Sequence, residues 1–520
     1  MAPRYDVVVI GAGLGGLTAA GLLARAGRKV LVLERNSSVG GAATTYKFGH
    51  LVVEASLHET ANPYAASEPK NNPLSRLGVL DALVWSPIGA LYEVRGGPLG
   101  APFRLPDSFP EARRALTNRF PDMRTPIATL LDDMQHIATG LGTLSRGRDA
   151  FRDPLGGIAA LLKLGPVVRD WQQSLDGVLQ RSFGSNEAAK WAVAANLPHY
   201  HDDPATLWWI HFAAAQGGYL AAGGRYVQGG SQRLSDAIAQ AILAAGGEIL
   251  TGRRASEIRL DADGHPSSVV HTDMTGGDST EVATRMVAGN AAPAVLGRML
   301  SGPARDRFMA AYARRPLSMS IFTVACGMAE PPAAVGFASY STVLVPSWIE
   351  RLADYRLCTT LLASPPRDGL DPVVTVVDYS AIDSGLGGPP FPVAINAVDR
   401  VENWVGLDDE SYQVRRKQWG ERMIAIVDRT FPGFAANVVT STVNTALSIE
   451  RHLNAPEGAI YGFAPSPPSR PVWHGREPTL RTPVPGLYLA SAYGGAGGFT
   501  GAIVAGAGAA DLILAESGKA

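Results

Sequence analysis

The sequence is short of cysteine, of net charge and of long apolar runs, and each shortage removes a class of function. Its two cysteines in 520 residues, Cys326 and Cys358, stand far from any Cys-x-x-Cys or Cys/His spacing. That fits a reducing compartment, predicts no bound metal and allows at most one disulfide. With 46 basic and 47 acidic residues the net charge is −1, so there is no field to release counterions from nucleic acid and no such partner is expected. No run reaches the ~18 apolar residues of a membrane span, so no spanning helix is expected. The 58 glycines and 37 prolines are dispersed, with no repeat period and no low-complexity block. The apolar run near the N-terminus lacks the cationic flank of a signal peptide. A hydrophobic share of 46% against 18% charged suits two buried cores or one interleaved pair of domains.

What is present begins at Tyr5-Asp6-Val7-Val8-Val9-Ile10, an apolar β-branched run followed at once by Gly11-Ala12-Gly13-Leu14-Gly15-Gly16. An Ala/Leu-rich stretch from Leu17 then reads as a helix. This is the pattern of a buried parallel strand, a turn that needs residues without Cβ, and a helix N-terminus aimed at an anion. Gly11 permits the turn, Gly13 lets backbone approach a pyrophosphate, and Gly16 lets helix pack on strand. A second strand, Lys29-Val30-Leu31-Val32-Leu33, ends in Glu34, the acid that such units place on a ribose hydroxyl. Together these spacings predict dinucleotide binding, with NAD, NADP and FAD all open at this point.

A second close backbone approach follows at Val39-Gly40-Gly41-Ala42-Ala43-Thr44, with Tyr46, Phe48 and Gly49 beyond it. Near the other end, Pro485-Gly486-Leu487-Tyr488-Leu489-Ala490-Ser491 reads as a strand. It runs through Gly494-Gly495-Ala496-Gly497-Gly498-Phe499-Thr500-Gly501-Ala502-Ile503 into a helix, repeating the opening architecture. These motifs resemble the FAD-binding segments of the amine-oxidase and phytoene-desaturase superfamily. Ser448-Ile449-Glu450-Arg451 with Gly458-Ala459-Ile460-Tyr461-Gly462, and the glycine-rich stretch 223–231, are similar to the branch of phytoene desaturases, carotenoid isomerases and retinol saturases.

The resemblance implies an α/β fold: a discontinuous Rossmann-type FAD-binding domain with an interleaved α+β substrate domain of mixed sheet and helical cap. The cofactor domain is expected over 1–105, 223–304 and 441–520, and the substrate domain over 106–222 and 305–440. FAD is expected to be non-covalent, since no cysteine lies near the C-terminal motif. By the same resemblance its contacts fall on Gly11, Gly13, Leu14, Gly15, Gly16, Glu34, Arg35, Gly40, Gly41, Ala42, Ala43 and Thr44. They continue on Ala255 (where the family usually has Val), Asn290, Ser491, Gly498, Thr500, Gly501, Ala502 and Ile503, with free N–H groups expected at Gly501, Ala502 and Ile503.

Between the ends, 109–219 reads mainly helical, with Ile127, Leu130, Leu131, Met134 and Ile137 on one face. The apolar segment 158–169, flanked by basic residues, reads as a buried helix or as a surface piece dipping into a bilayer interface. Trp171, Trp191, Trp208 and Trp209 are core, or the wall of an apolar tunnel. Strands are expected over 317–328 and 372–379, and a long helix over 409–430.

The chemistry implied is hydride exchange with flavin N5 at C–C or C=C bonds of an apolar polyene or isoprenoid-like substrate: desaturation, saturation or isomerisation. His58, Glu59 and Glu54 are the candidate acid/base groups because they follow the Gly-Gly segment; each is equally readable as a satisfied structural residue. Arg451 and His452 are lesser candidates. An amine or amino-acid oxidase on the same fold is the first alternative. No lysine occurs between Lys190 and Lys417, where such oxidases carry one near the flavin. A prenyl- or lipid-binding protein resembling GDP-dissociation inhibitors is the second. The expected setting is cytoplasmic, with peripheral membrane contact and oligomeric state left open.

Overall fold

The computed structural model describes residues 4–144, 165–471 and 480–517. Its first sheet has five strands in the order Glu248–Leu250, Val30–Leu33, Val7–Ile10, Met286–Gly289 and Leu487–Leu489, all parallel. Both faces are covered, which is why the strands read as unbroken apolar runs instead of alternating. Val7, Val9, Val30 and Val32 join a core built with the helices on one side. Val8, Ile10, Leu31 and Leu33 pack on Ile258, Val269 and Phe308 on the other. The latter layer is an antiparallel sheet, Arg253–Leu260, Pro266–Asp273 and Thr280–Ala283.

Helices Leu14–Arg25, Ser231–Ala244 and Gly498–Ser517 form the first layer. Leu234, Ile238 and Ile242 recur every fourth residue and are buried, each contributing about 1.5–3 kcal/mol by leaving water. The C-terminal helix meets Leu14–Arg25 through glycine: a Cβ on Gly506 would lie 2.1 Å from the Gly15 carbonyl oxygen. Gly498–Glu516 is, against the expectation of no such segment, long and apolar enough to cross a membrane by length and composition. Its Ile503, Ala507, Ala510 and Ile513 instead pack into the core beside the parallel sheet.

The second large sheet has seven strands in the order Val438–Asn444, Ser320–Met328, Phe391–Asp399, Val374–Asp378, Ser341–Val345, Tyr92–Gly96 and Phe103–Leu105. It is mixed, because Ser341–Val345 pairs in parallel with Tyr92–Gly96 while its other pairings are antiparallel. Two of its strands lie within 92–105 and a third spans 438–444, so this sheet draws on the 1–105 segment and straddles position 441, across the boundaries expected for the cofactor domain. The Asp409–Thr430 helix covers one face with Trp419, Met423 and Val427. A cap of helices, including Arg124–Leu144, Leu175–Phe183, Glu187–Ala194 and Trp209–Ala222, holds Trp191, Trp208 and Trp209 in its core. The architecture is α/β with a mixed second sheet and a helical cap. Residues 158–164 of the apolar segment lie outside the described residues; Gly165–Arg169 is helical, with Val167 buried and Arg169 paired to Asp133 and Asp170. Both cysteines are buried free thiols.

Candidate active site

The opening glycine loop is shaped by contacts that a side chain would break. Gly11 has φ +98°. A Cβ on Gly16 would fall 2.1 Å from the Gly11 carbonyl oxygen, and one on Gly13 2.6 Å from Asn290 Nδ2. Asn290 closes the loop from the neighbouring strand, its Oδ1 accepting the Gly16 N–H at 3.0 Å. No side chain caps the Leu14–Arg25 helix and its first turn carries no acid. The early N–H groups around Leu14 and Gly15 are thus left for an external anion. The Gly40-Gly41 pair lies alongside: Gly40 N–H donates to the Ala12 carbonyl at 2.7 Å, and a Cβ on Gly41 would stand 3.4 Å from Gly13. Ala42, Ala43 and Thr44 continue as a tight turn, with Thr44 Oγ1 donating to the Gly41 carbonyl and Ser56 and Ser235 hydroxyls donating to the carbonyls of Ala42 and Ala43.

Glu34 is buried and accepts the N–H of Ala12 and of Asn36, both at 2.8 Å. Arg253 N–H donates to the Glu34 carbonyl, bringing the strand that carries Ala255 to the same corner. Ala255 packs into the apolar layer behind the sheet. Arg35 points elsewhere: its guanidinium donates to the carbonyls of Arg451 and His452, tying down a helix C-terminus. The side chains of Arg451 and His452 are exposed.

At the far end, Ser491 is buried just past the Leu487–Leu489 strand, and its Oγ has no partner. The helix begins at Gly498, with no acid in its first turn. This corrects the expectation for the free N–H groups: the open first turn runs from Gly498 to Thr500, whereas Ala502 and Ile503 fall beyond it and the Ile503 side chain is core. Gly501 carbonyl lies 2.9 Å from where a Cβ on Gly495 would be. An orphaned hydroxyl, one helix start without a capping side chain, a second with no acid in its first turn and a loop closed around missing side chains fit a long dinucleotide, so these residues suit the flavin cofactor.

The structure also brings in a pair that spacing did not disclose. Lys70 and Glu68 form a buried ion pair at 2.7 Å, and both contact Thr500 Oγ1 at 3.2 Å. Burial draws the Lys70 ammonium below its usual range, and Glu68 opposes that. Both residues lie in a polar stretch, Ser67-Glu68-Pro69-Lys70-Asn71, that reads as solvated loop; the sequence holds no signal for their burial.

The three acid/base candidates are placed very differently. Glu54 accepts from Ser231 N–H at 2.8 Å, Ser231 Oγ at 2.5 Å, Tyr226 OH at 2.9 Å and Thr45 Oγ1 at 3.1 Å. Those bonds stitch the glycine-rich turn at 229–231 to the Leu51–Glu54 strand and use up its lone pairs. His58 is buried, with Nδ1 2.7 Å from Tyr379 OH and Nε2 3.1 Å from Asn396 Nδ2. Asn396 Oδ1 accepts from Thr323 Oγ1, so its NH2 faces His58, which makes Nε2 the acceptor and Nδ1–H the donor to Tyr379. Burial, with His199 adding to it, pushes the His58 pKa down to about 3. Glu59 is buried too, but its Oε2 has no partner. All three sit where the helical cap, the seven-stranded sheet and the cofactor-binding end meet.

The profile of the family described as flavin containing amine oxidoreductase matches residues 14–514. The chain belongs to that family. It is similar to human all-trans-retinol 13,14-reductase, 24% identical over 505 residues that cover 88% of this chain and 77% of that protein. It is equally similar to the rat pyridine nucleotide-disulfide oxidoreductase domain-containing protein 2, at 24% identity over 99% of this chain and 94% of the other. Among solved structures, cyclohexylamine oxidase from Brevibacterium oxydans shares the fold with a TM-score of 0.61 at 16% identity, covering 99% and 100% of the two chains. As a member of the flavin-containing amine oxidoreductases this protein is an FAD-dependent oxidoreductase, and the motifs at its two ends carry strands of one parallel sheet.

Proposed function

We propose that this flavoenzyme acts on C–C or C=C bonds of an apolar polyene or isoprenoid-like substrate, by hydride exchange with a non-covalently held FAD. The observation that supports this reading is the similarity, over 88% of this chain and 77% of the other, to a protein named all-trans-retinol 13,14-reductase. The aromatic cap is consistent with it: Trp209, Phe212 and Tyr200 pack ring to ring in its core.

Bound there, the isoalloxazine would accept or give the hydride, chemistry that side chains do not supply. Leu14, Gly15 and the first turn at Gly498–Thr500 would hold the anionic parts of the cofactor through backbone N–H groups, with Glu34 on the ribose and Ser491 Oγ on a phosphate oxygen. Glu54 serves as scaffold. His58 stays a neutral imidazole across the working pH range and keeps the junction shaped, since protonating Nε2 would break its bond from Asn396. The apolar cap excludes water from the reacting carbons. An apolar substrate of this kind suits a cytoplasmic protein that touches a membrane peripherally. The chain is tested by anaerobic spectra of the purified protein against carotenoids, retinoids, unsaturated fatty acids and amines. Bleaching or reoxidation of the flavin by an unsaturated apolar compound supports the reading; reduction by primary amines or amino acids alone would overturn it in favour of an oxidase.

A further inference from the structure

Next to His58, the protein leaves a buried polar cluster with its hydrogen bonding incomplete. Asn196 Nδ2 donates to Glu59 Oε1 at 3.2 Å, and His199 Nδ1 stands 3.6 Å from the same oxygen. Glu59 is 7% exposed and Asn196 0%, yet Glu59 Oε2, Asn196 Oδ1 and His199 Nε2 all lack a partner. One such orphan costs about 1–3 kcal/mol, and more when charged, so three in contact are not the signature of a sealed core. With Nδ1–H turned toward Glu59, His199 Nε2 is an acceptor, and all three atoms then await a donor. Tyr200 OH beside Asn196, itself without a partner, can supply at most one.

The surroundings are aromatic and lead to the cofactor end. The Glu59 carboxylate helps to raise the phenols of Tyr200, Tyr219 and Tyr461 above their usual range, after burial itself. Tyr219 OH donates to the Glu59 carbonyl at 3.1 Å. Tyr461 packs on the C-terminal glycine loop, its ring 3.7 Å from where a Cβ on Gly498 would be.

We propose that Glu59, Asn196 and His199 form a subsite for a hydrogen-bond-donating head group, a hydroxyl or an ammonium, on an otherwise apolar substrate. The apolar remainder of that substrate rests on the function proposed above; the head-group contact rests on the orphaned acceptors alone. A hydroxyl satisfies one acceptor, whereas an ammonium, with three N–H donors, can satisfy more than one.

The test is equilibrium binding to the FAD-loaded enzyme, read by tryptophan fluorescence. An isoprenoid alcohol, the primary amine and the hydrocarbon of equal chain length are compared on wild type, Glu59→Gln and Asn196→Ala. Glutamine turns an NH2 either onto Asn196 Nδ2 or onto the ligand's donor, so one bond is lost whichever way the amide lies. The headed ligands should bind wild type on the order of tenfold tighter than the hydrocarbon, and Glu59→Gln should erase that margin. Hydrocarbon binding should change less than about twofold, the margin expected when no hydrogen bond to the ligand is lost. Asn196→Ala, checked like the first variant for flavin content and melting temperature, should reproduce the selective loss. A greater loss for the amine than the alcohol identifies an ammonium, and equal losses a hydroxyl. Equal binding of all three ligands, a uniform loss across them, or no binding of any headed ligand overturns the subsite. Selective binding with neither a redox change of the flavin nor a change in the ligand's double bonds would discard the polyene chemistry while leaving the subsite in place.

Discussion

Replacing Glu34 with alanine removes two acceptors from one buried carboxylate. Its oxygens take the Ala12 and Asn36 N–H groups at 2.8 Å each. Hydrogen bonds to a charged group contribute about 1.5–3 kcal/mol. The Ala12 N–H is buried and keeps the full penalty, while Asn36 is part-buried and regains water. The apo-protein should therefore lose about 2–4 kcal/mol, well above the effect of an ordinary surface change. Glu34→Gln keeps the shape and one oxygen, and should lose roughly half as much. If the carboxylate also holds the ribose, FAD affinity falls beyond what the apo-protein loses. Denaturant midpoints of the apo forms give the first quantity, and flavin-to-protein absorbance after gel filtration gives the second. Apo stability unchanged in Glu34→Ala would refute the hydrogen-bond accounting. Lower apo stability with wild-type flavin occupancy would refute the ribose contact.

The folded-state pKa of His58, about 3, lies below the unfolded value near 6.5, so the unfolded chain binds the extra proton between them. Its contribution to stability is fully present above pH ~6.5 and declines below it by up to about 1.4 kcal/mol per unit; His58→Asn should flatten that slope in denaturation at pH ~5 and ~7, and an unchanged slope would contradict it. Lys70→Met strands Glu68 in the core and should destabilise by about 3–5 kcal/mol, with Glu68→Leu/Lys70→Met recovering most of it; a double variant worse than the single would refute the pairing. Gly506→Ala drives a Cβ to 2.1 Å from the Gly15 carbonyl, so it should yield insoluble or flavin-free protein, and normal yellow protein would disprove that helix contact. Acid precipitation should release all flavin into the supernatant, since the account has no covalent link; flavin retained in the pellet would contradict it.

The cofactor-binding end is readable because its constraint is local. Gly11, Gly16 and Gly40 each answer a backbone demand within a few residues, and Val7–Ile10 and Val30–Leu33 reveal by unbroken apolarity that both faces are covered. The sequence places the last helix's open turn at 501–503 and the structure at Gly498–Thr500, because Gly494–Gly501 is glycine-rich throughout, and glycine marks permission without marking where a helix begins. The substrate side is a different matter. Its sheet takes strands from 92–105, 320–345, 374–399 and 438–444, and nothing in the local pattern says that Ser341–Val345 pairs in parallel with Tyr92–Gly96. Asn196 and His199 lie 137 and 140 positions from Glu59, and no spacing announces them. Glu54 and His58 were singled out by place in the chain, yet only hydrogen bonds from Ser231, Tyr226, Tyr379 and Asn396 show how fully they are engaged.

The central claim is that a carbon–carbon bond, not a carbon–nitrogen bond, exchanges hydride with the flavin. The direct measurement is the mass spectrum of the product from a single anaerobic turnover of the FAD enzyme with an unsaturated isoprenoid bearing an amine at one end. The account predicts a product that keeps its nitrogen and differs by two hydrogens, or has the same mass with altered double-bond geometry. An aldehyde formed with release of ammonia, on an untouched polyene, would contradict it.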